Sequence, residues 1–401
     1  DRSPQRQDRT KSFGKAASGD PQQALRLSAE ETGLTRDALQ KRPERILAEI
    51  SRKSASFNRT DVLRALARYI DDPLALGKAA DNALRSAELV AIDGPGKRYT
   101  TKDYLEAEQH LANTMQAMTG SGGFRVMERH VEAAIHDQSA KMRRAFGGHL
   151  SDEQCTALRH ILSDRQAASV VGLAGAGKST LLAAAMEAWR RQGITVHGAA
   201  LAGKAADGLE EASGIQSRTL ASLEASWAHG YTSIAKGDVL VIDEAGMIGT
   251  RQLSRIAVKL RDIGAKLVLI GDPAQLQPIE AGAPFRDLVT RHGAARLTEI
   301  HRQRDVWQKQ ASRDLAEGSV AGAVQAYAER GMVSKNRTAD EAIEALVEAY
   351  AMDVMADTAP ASRLAFSHRR RDVHALNKAI RTALRDPAHP VIETLLETAT
   401  G

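Results

Sequence analysis

The length, composition and charge of the chain are those of a globular protein with more than one domain. Its 401 residues, 43% hydrophobic and 26% charged, leave room for two or three domains that each bury a core. Only 4% are aromatic, which argues against a sheet that stacks RNA bases on aromatic side chains. A net charge of +5 suits a polyanionic partner, and it equally suits a well-solvated surface.

A single cysteine and the lack of long apolar runs indicate a cytoplasmic protein. Cys155 alone can form neither an internal disulfide nor a cysteine metal cluster, which favours a reducing compartment. No apolar run approaches the ~18–20 residues of a membrane span, and the start lacks the pattern of a signal peptide. Because the sequence begins at Asp1 and stops within patterned chain at Gly401, we expect a piece of a longer protein.

Two regions precede the first strand-rich part of the chain. Residues 1–20 are polar, basic and rich in Ser and Gly, and they predict a flexible tail. Residues 21–145 predict a mainly helical N-terminal accessory domain. Within it, Asn58 is the predicted N-cap of a helix through residues 61–70. A short apolar piece at 88–92, a Gly-Pro turn at 93–96 and the segment at 98–101 predict two short strands of a small winged-type module.

From residue 146 the pattern changes to apolar strands that alternate with helices. This predicts an α/β domain with a parallel sheet over residues 146–296. The predicted strands are short and nearly all apolar, as expected when both faces of a sheet are covered, and they lie at 169–171, 194–196, 239–242 and 267–270. Helices are predicted between them, including 179–191 and 250–263.

A glycine-rich segment joins the first of these strands to a helix. Residues 172–179 read GLAGAGKS and match the phosphate-binding pattern G-x-x-x-x-G-K-[ST] in the strand-to-helix context that the pattern requires. Backbone N–H groups of such a loop converge on a phosphate at a helix N-terminus, which carries partial positive charge. Lys178 would contact the β- and γ-phosphates of ATP, and the Ser179 hydroxyl would hold Mg²⁺. The predicted nucleotide-binding residues of this segment are Gly172, Gly175, Gly177, Lys178, Ser179 and Thr180.

Polar side chains follow the next two buried strands. Asp243 and Glu244 end the strand at 239–242; Asp243 would hold Mg²⁺ through water, and Glu244 would orient and deprotonate the attacking water. Gln275 follows the strand at 267–270 and is the predicted sensor of the γ-phosphate, although an ordinary Asp-Pro turn is the alternative for its segment. Because an acidic base beside the phosphate favours water as the nucleophile, we expect hydrolysis rather than transfer to a substrate.

Taken in order, these motifs resemble those of RecD-like superfamily 1 helicases, whose motor domains are RecA-like. The resemblance implies that Gln154, in the segment LSDEQ at 150–154, contacts adenine. The segment LTEIHRQ at 297–303 resembles the one that carries an arginine finger, which points to Arg302. Arg304 is the nearby competitor, and a surface ion pair is the alternative for Arg302.

The same resemblance assigns contacts with single-stranded DNA. Residues 200–206 are similar to the motif that grips the strand, which points to Lys204, and Thr219 lies where a second contact is expected. The family usually has a threonine where Ala202 stands, so one phosphate-facing hydroxyl is missing here. A solvated lysine at a helix start remains the alternative for Lys204.

The resemblance narrows to conjugative transfer relaxases of the Ti type, which join a DNA-nicking domain to such a helicase. The segments that carry it are 198–206, 213–222 and 242–247. No H-x-H cluster occurs among the 12 histidines, so nicking is not expected in this chain. Residues 363–368 and 372–377 resemble the first strand and helix of a second RecA-like domain, which predicts an incomplete domain over 297–401.

The implied function is that of an ATP-dependent helicase or translocase region acting in plasmid transfer. Its cofactors would be ATP and Mg²⁺, and its partners single-stranded DNA and other conjugation proteins, with no membrane segment. Two alternatives stay open: a P-loop NTPase of another class, such as a kinase, or, for this piece alone, a DNA-binding segment without catalysis.

Overall fold

The computed structural model describes residues 34–93, 97–231, 233–275, 278–301, 303, 305–356 and 363–384. The chain divides into two compact units, one within residues 20–304 and one from Asp305 onward. The predicted tail at 1–20 lies outside the described residues. The domain boundaries predicted after residues 20, 145 and 296 stay predictions.

Short helices open the first unit. They are α1 (Arg36–Lys41), a 3-10 helix (Pro43–Arg45), α2 (Ile46–Lys53), α3 (Arg59–Leu66) and α4 (Pro73–Leu84). Asn58 caps α3 as predicted, in a capping box in which its side chain and that of Asp61 each accept from the other's backbone N–H. The helix ends at Leu66, before the predicted Ile70, and the Tyr69 backbone N–H after it donates to the Leu66 carbonyl three residues earlier, in a tighter turn than the α-helix has.

The two short strands predicted after these helices are confirmed. They are β1 (Leu89–Ala91) and β2 (Tyr99–Thr101), which pair in an antiparallel ladder. The long helix α5 (Lys102–Gly120) follows at once, with the Thr101 hydroxyl accepting from the Tyr104 N–H at its start, and α6 (Glu128–Phe146) comes next.

A six-stranded sheet with parallel pairing throughout forms the centre of the first unit, which confirms the predicted α/β class. Its strands are β3 (Ala167–Gly172), β4 (Val196–Ala200), β5 (Ser217–Thr219), β6 (Val239–Ile242), β7 (Lys266–Gly271) and β8 (Ala295–Leu297). Their order across the sheet is β5-β4-β6-β7-β3-β8. Every residue of β3, β6 and β7 is buried, as predicted for the mostly apolar runs within them.

Two features of the sheet differ from the prediction. The strand expected at 194–196 begins only at Val196 and continues through Gly198, Ala199 and Ala200, whose small side chains carry no strand signal. The outer strands β5 and β8 were not predicted, since three residues are too few to show a period.

Helices cover both faces of the sheet. They are α7 (Asp152–Ile161), α8 (Lys178–Arg191), α9 (Gly203–Ser213), α10 (Leu220–Ala228), α11 (Thr250–Ile263) and α12 (Pro284–His292), with a 3-10 helix at Ala245–Met247. Val170 and Val268 pack with α6, α7, α8 and α9 in one core, whereas Val171 and Leu267 pack with α5, α10, α11 and α12 in the other. Successive residues of a strand thus pack into the cores on opposite faces of the sheet.

The second unit is helical where it is described. It contains α13 (Val306–Ala316), α14 (Val320–Ala328), α15 (Ala339–Ala356) and α16 (Arg370–Ala383). The strand predicted at 363–368 is wrong, because these residues form no strand. The described residues after 304 contain no other strand with which they could pair. The helix predicted at 372–377 lies within α16.

No helix in the described ranges combines the length and the apolar character that crossing a bilayer requires.

Candidate active site

The glycine-rich loop forms a tight cradle between β3 and α8. Gly175 and Gly177 have φ values of 80° and 79°, in the left-handed region that side chains other than glycine rarely adopt. A Cβ on Gly172 would lie 2.8 Å from Lys178 Cγ, and one on Gly177 would lie 2.3 Å from Gln154 Nε2. These two positions therefore have no room for a side chain, and the loop packs closely against Lys178 and Gln154.

Lys178 is the first residue of α8 and lies at the centre of the site. Its ammonium donates to the Gly172 carbonyl at 3.3 Å and lies 3.8 Å from Glu244 Oε1. Ser179 and Thr180 follow in the first turn of the helix, where backbone N–H groups are free of helical partners. The predicted phosphate residues and the predicted base are thus brought together.

Asp243 and Glu244 leave the end of β6 in an unusual backbone conformation. Among the described non-glycine residues Glu244 alone has a positive φ, of 52°, which costs about 1–3 kcal/mol. Asp243 Oδ1 accepts from the Glu244 backbone N–H at 2.9 Å. Such strain at the end of a buried strand is typical of functional sites, and here it accompanies the approach of the Glu244 carboxylate to Lys178.

The environment of Glu244 makes it a better proton acceptor than an ordinary glutamate. Burial raises the pKa of its carboxyl; the charge of Lys178 opposes the rise, and the nearby carboxylates of Asp243 and Asp272 add to it. A raised pKa brings a general base closer to the pH at which it works.

Gln275 lies beyond β7, the strand between β6 and β3. Its amide donates to Asp272 Oδ2 at 3.3 Å, and Asp272 Oδ1 accepts from the Ala274 backbone N–H at 3.0 Å. A Cβ on Gly246 would lie 2.6 Å from the Asp272 carbonyl oxygen, so the turns after β6 and β7 are in close contact. Asp272, only 6% exposed, holds this turn, a role that no motif in the sequence indicates.

Gln154 is buried beside the phosphate loop. It forms a capping box with Ser151 at the start of α7, in which the Ser151 backbone N–H donates to Gln154 Oε1 at 3.0 Å. The Gln154 amide nitrogen lies 3.4 Å from the Gly177 carbonyl, to which it donates. The predicted adenine contact remains a prediction, and its residue lies next to the loop.

The chain after β8 runs along the phosphate loop. The Leu173 backbone N–H donates to the Leu297 carbonyl at 3.2 Å, and the His301 backbone N–H donates to the Gly175 carbonyl at 2.9 Å. Arg302 and Arg304 lie outside the described residues, so the arginine-finger prediction is not tested. His301 was not predicted, because no spacing in the sequence marks it.

The predicted DNA residues lie at or just after the carboxyl ends of two other strands of the same sheet. Lys204 is exposed in the first turn of α9, after β4, and Thr219 ends β5. The Thr219 hydroxyl accepts from the Ser222 backbone N–H at 3.1 Å as the cap of α10. Since Ala200 of β4 pairs with Thr219, both residues follow the carboxyl ends of neighbouring strands.

A phosphate loop whose lysine faces a carboxylate, at the carboxyl ends of a parallel RecA-like sheet, defines a P-loop ATPase domain. Residues 149–338 match the AAA domain family. The chain is 37% identical over 390 residues to the probable conjugal transfer protein TraA of Sinorhizobium fredii. The matched region covers 94% of this chain and 34% of that protein.

Two further relatives agree with these similarities. The conjugal transfer protein TraA of Agrobacterium fabrum is 38% identical over 86% of this chain and 31% of its own length. The ATP-dependent RecD2 DNA helicase of Deinococcus radiodurans is 29% identical over 58% of this chain and 32% of its own length. The resemblance predicted from the motifs is confirmed, and the chain spans about a third of the length of these relatives.

Proposed function

We propose that the chain is the ATP-dependent helicase region of a conjugative relaxase, which hydrolyses ATP to move on single-stranded DNA during plasmid transfer. The observation that carries the proposal is the 3.8 Å approach of Lys178 to Glu244 beside a glycine cradle. The names of the relatives supply the conjugative setting, with other conjugation proteins as partners in the cytoplasm.

The residues of the site suit the hydrolysis of a phosphate anhydride. The backbone N–H groups of the loop and the Lys178 ammonium are donors placed where negative charge develops. Glu244 accepts a proton from the attacking water, and Lys178 helps to hold that carboxylate in place. The predicted Mg²⁺ ligands, Ser179 and Asp243, fit a hard cation that neutralises phosphate charge.

The sheet offers a route from the nucleotide to the DNA. Gln275, in the turn after β7, would report the loss of the γ-phosphate through the contacts that Asp272 makes there. The strand β6, which Glu244 follows, pairs directly with β4, and the segment with Lys204 follows β4. A shift at the phosphate can therefore reach the DNA residues through neighbouring strand ends.

The test is ATP hydrolysis by the purified chain with and without single-stranded DNA, and with duplex DNA as the control. We expect the single strand to stimulate hydrolysis, because both ligands bind at one edge of the same sheet. A P-loop kinase would instead transfer phosphate to an acceptor without regard to DNA, and that result would refute the proposal.

A second comparison addresses this piece of the chain by itself. If residues 1–401 bind single-stranded DNA without hydrolysing ATP, while a longer protein that includes them unwinds DNA, the motor assignment holds for the longer protein. The piece alone is then a DNA-binding segment. If neither hydrolyses ATP, the motor assignment is wrong.

A further inference from the structure

Glu153 makes an unusually complete set of contacts across the site. Its Oε2 accepts from the backbone N–H groups of Thr298 at 2.7 Å and Glu299 at 3.0 Å, and its Oε1 accepts from the Thr298 hydroxyl at 2.5 Å. These partners are 145 and 146 residues away along the chain, so the contacts join α7 to the segment after β8. We call this arrangement the Glu153 clamp.

The clamp binds as a carboxylate. Burial by itself would raise the pKa of Glu153, but the hydrogen bonds from Thr298 and Glu299 outweigh it and the pKa is lowered. The group is therefore ionised at neutral pH, and hydrogen bonds to an ionised acceptor are stronger than neutral ones.

The clamped segment lies against the phosphate loop at two further points. Leu297 accepts from the loop residue Leu173, and His301 donates to Gly175. The clamp holds the residues between these two contacts. It is also adjacent in sequence to Gln154, which contacts the loop at Gly177. The first turn of α7 thus contacts the loop and the segment together.

We propose that Glu153 is a positioning residue of the proposed ATPase. By fixing the backbone of residues 298 and 299, it holds the following chain up to His301 against the phosphate loop. The inference rests on the proposed function, since Arg302, the predicted transition-state contact, follows His301 in the sequence. Glu153 itself touches no phosphate in this scheme and acts only through the segment.

Loss of the clamp should therefore lower turnover without weakening the binding of ATP. The phosphate loop and Lys178 are held by other contacts and would bind ATP without the clamp. A catalytic group displaced by about 1 Å can lose on the order of 10²-fold in rate. We therefore expect Glu153→Ala to lower kcat by roughly 10–10²-fold, with little change in the KM for ATP.

Two companion variants make the test specific. Glu153→Gln keeps one acceptor oxygen for the backbone of Thr298, and its amide can donate to the Thr298 hydroxyl, so we expect partial rescue of kcat. Asp152→Ala removes the neighbouring exposed carboxylate from the same helical turn and should behave like the parent chain. Unchanged kcat in Glu153→Ala, or an equal loss in Asp152→Ala, would overturn the proposal.

Hydrogen exchange at the amides of Thr298 and Glu299 separates this inference from the proposed function. Exchange should be faster in Glu153→Ala than in the parent and unchanged in Asp152→Ala, whether or not the chain hydrolyses ATP. Equal exchange in all three proteins would show that the Glu153 clamp does not exist, even if the chain is an active ATPase. If the parent hydrolyses no ATP either alone or within a longer protein, the proposed function fails on its own, and the exchange rates still decide whether the clamp exists. Should Glu153→Ala fail to fold, Glu153→Gln carries both measurements.

Discussion

The two predicted binding regions of the sheet differ in how their residues are held. Around β3, β6 and β7, Lys178 and Glu244 lie 3.8 Å apart, and Gln275 is tied to Asp272. Around β4 and β5, Lys204 is exposed and Thr219 serves as a helix cap. Groups that stabilise a transition state must be placed before the reaction, whereas a phosphate contact needs little more than an accessible positive charge.

Lys178→Ala should abolish ATP hydrolysis, which is the largest effect we expect in the nucleotide region. The loop would lose the ammonium that its glycines surround, and the fold should persist because that side chain is at the site rather than in the core. The measurement is phosphate release at saturating ATP, with Lys141→Ala on the exposed face of α6 as the control. Hydrolysis at the parent rate would refute the site.

The arginine-finger prediction is tested by comparing Arg302→Ala with Arg304→Ala. An arginine on the transferring phosphate contributes ~10³–10⁵ in rate, so one variant should lose a factor of that order in kcat while the other stays near the parent. A loss only in Arg304→Ala would transfer the role to the competitor. Small effects in both variants would show that neither arginine is the finger.

Glu244→Gln should lower kcat by roughly 10²–10⁴-fold, because an amide cannot take a proton from water. Burial raises the pKa of Glu244. As the pH is lowered, the rate of the parent should therefore begin to fall at a higher pH than the titration of an ordinary glutamate would give. Glu106→Gln on the exposed side of α5 is the control. A pH profile that shows no loss on the acid side would exclude Glu244 as the base.

Lys204→Ala should weaken DNA binding only a few-fold and leave ATP hydrolysis without DNA unchanged. A single lost phosphate contact reduces the slope of log affinity against log salt by about one. The measurement is binding to labelled single-stranded DNA at several salt concentrations, beside Lys259→Ala on α11 as the matched exposed lysine. Equal slopes for both variants would assign Lys204 to a solvated surface.

A change distant from both regions should affect stability alone. Lys266 is fully buried in β7 and donates to the carbonyls of Ser163 and Arg165 at 2.7 and 2.6 Å. Burial lowers its pKa to about 7, with Asp164 opposing the shift. Above that pH the unfolded chain binds more protons than the folded one, so the free energy of unfolding should rise with pH, by up to ~1.4 kcal/mol per unit.

The comparison for Lys266 is Lys266→Met, which keeps an apolar stem without a titrating group. Its free energy of unfolding, measured by urea denaturation between about pH 7 and 10, should lack this contribution to the slope. Identical slopes in the two proteins would show that Lys266 titrates in its ordinary range.

Much of the first unit could be predicted because its signals are local. Buried strands such as Val239–Ile242 are apolar throughout, and the helix Thr250–Ile263 was predicted with its observed bounds. The strand predicted at 363–368 was wrong, since strand pairing depends on a neighbour that no local pattern supplies.

The sequence by itself determined the chemistry of this protein: the glycine loop with Lys178, the carboxylates of Asp243 and Glu244, and their places at strand ends. Only the tertiary structure decided the order of the strands, the left-handed backbone at Glu244, and the clamp between Glu153 and Thr298. The physical reason is range. A motif is written in neighbouring residues, whereas a hydrogen bond across 145 positions exists only after the sheet has brought its partners together.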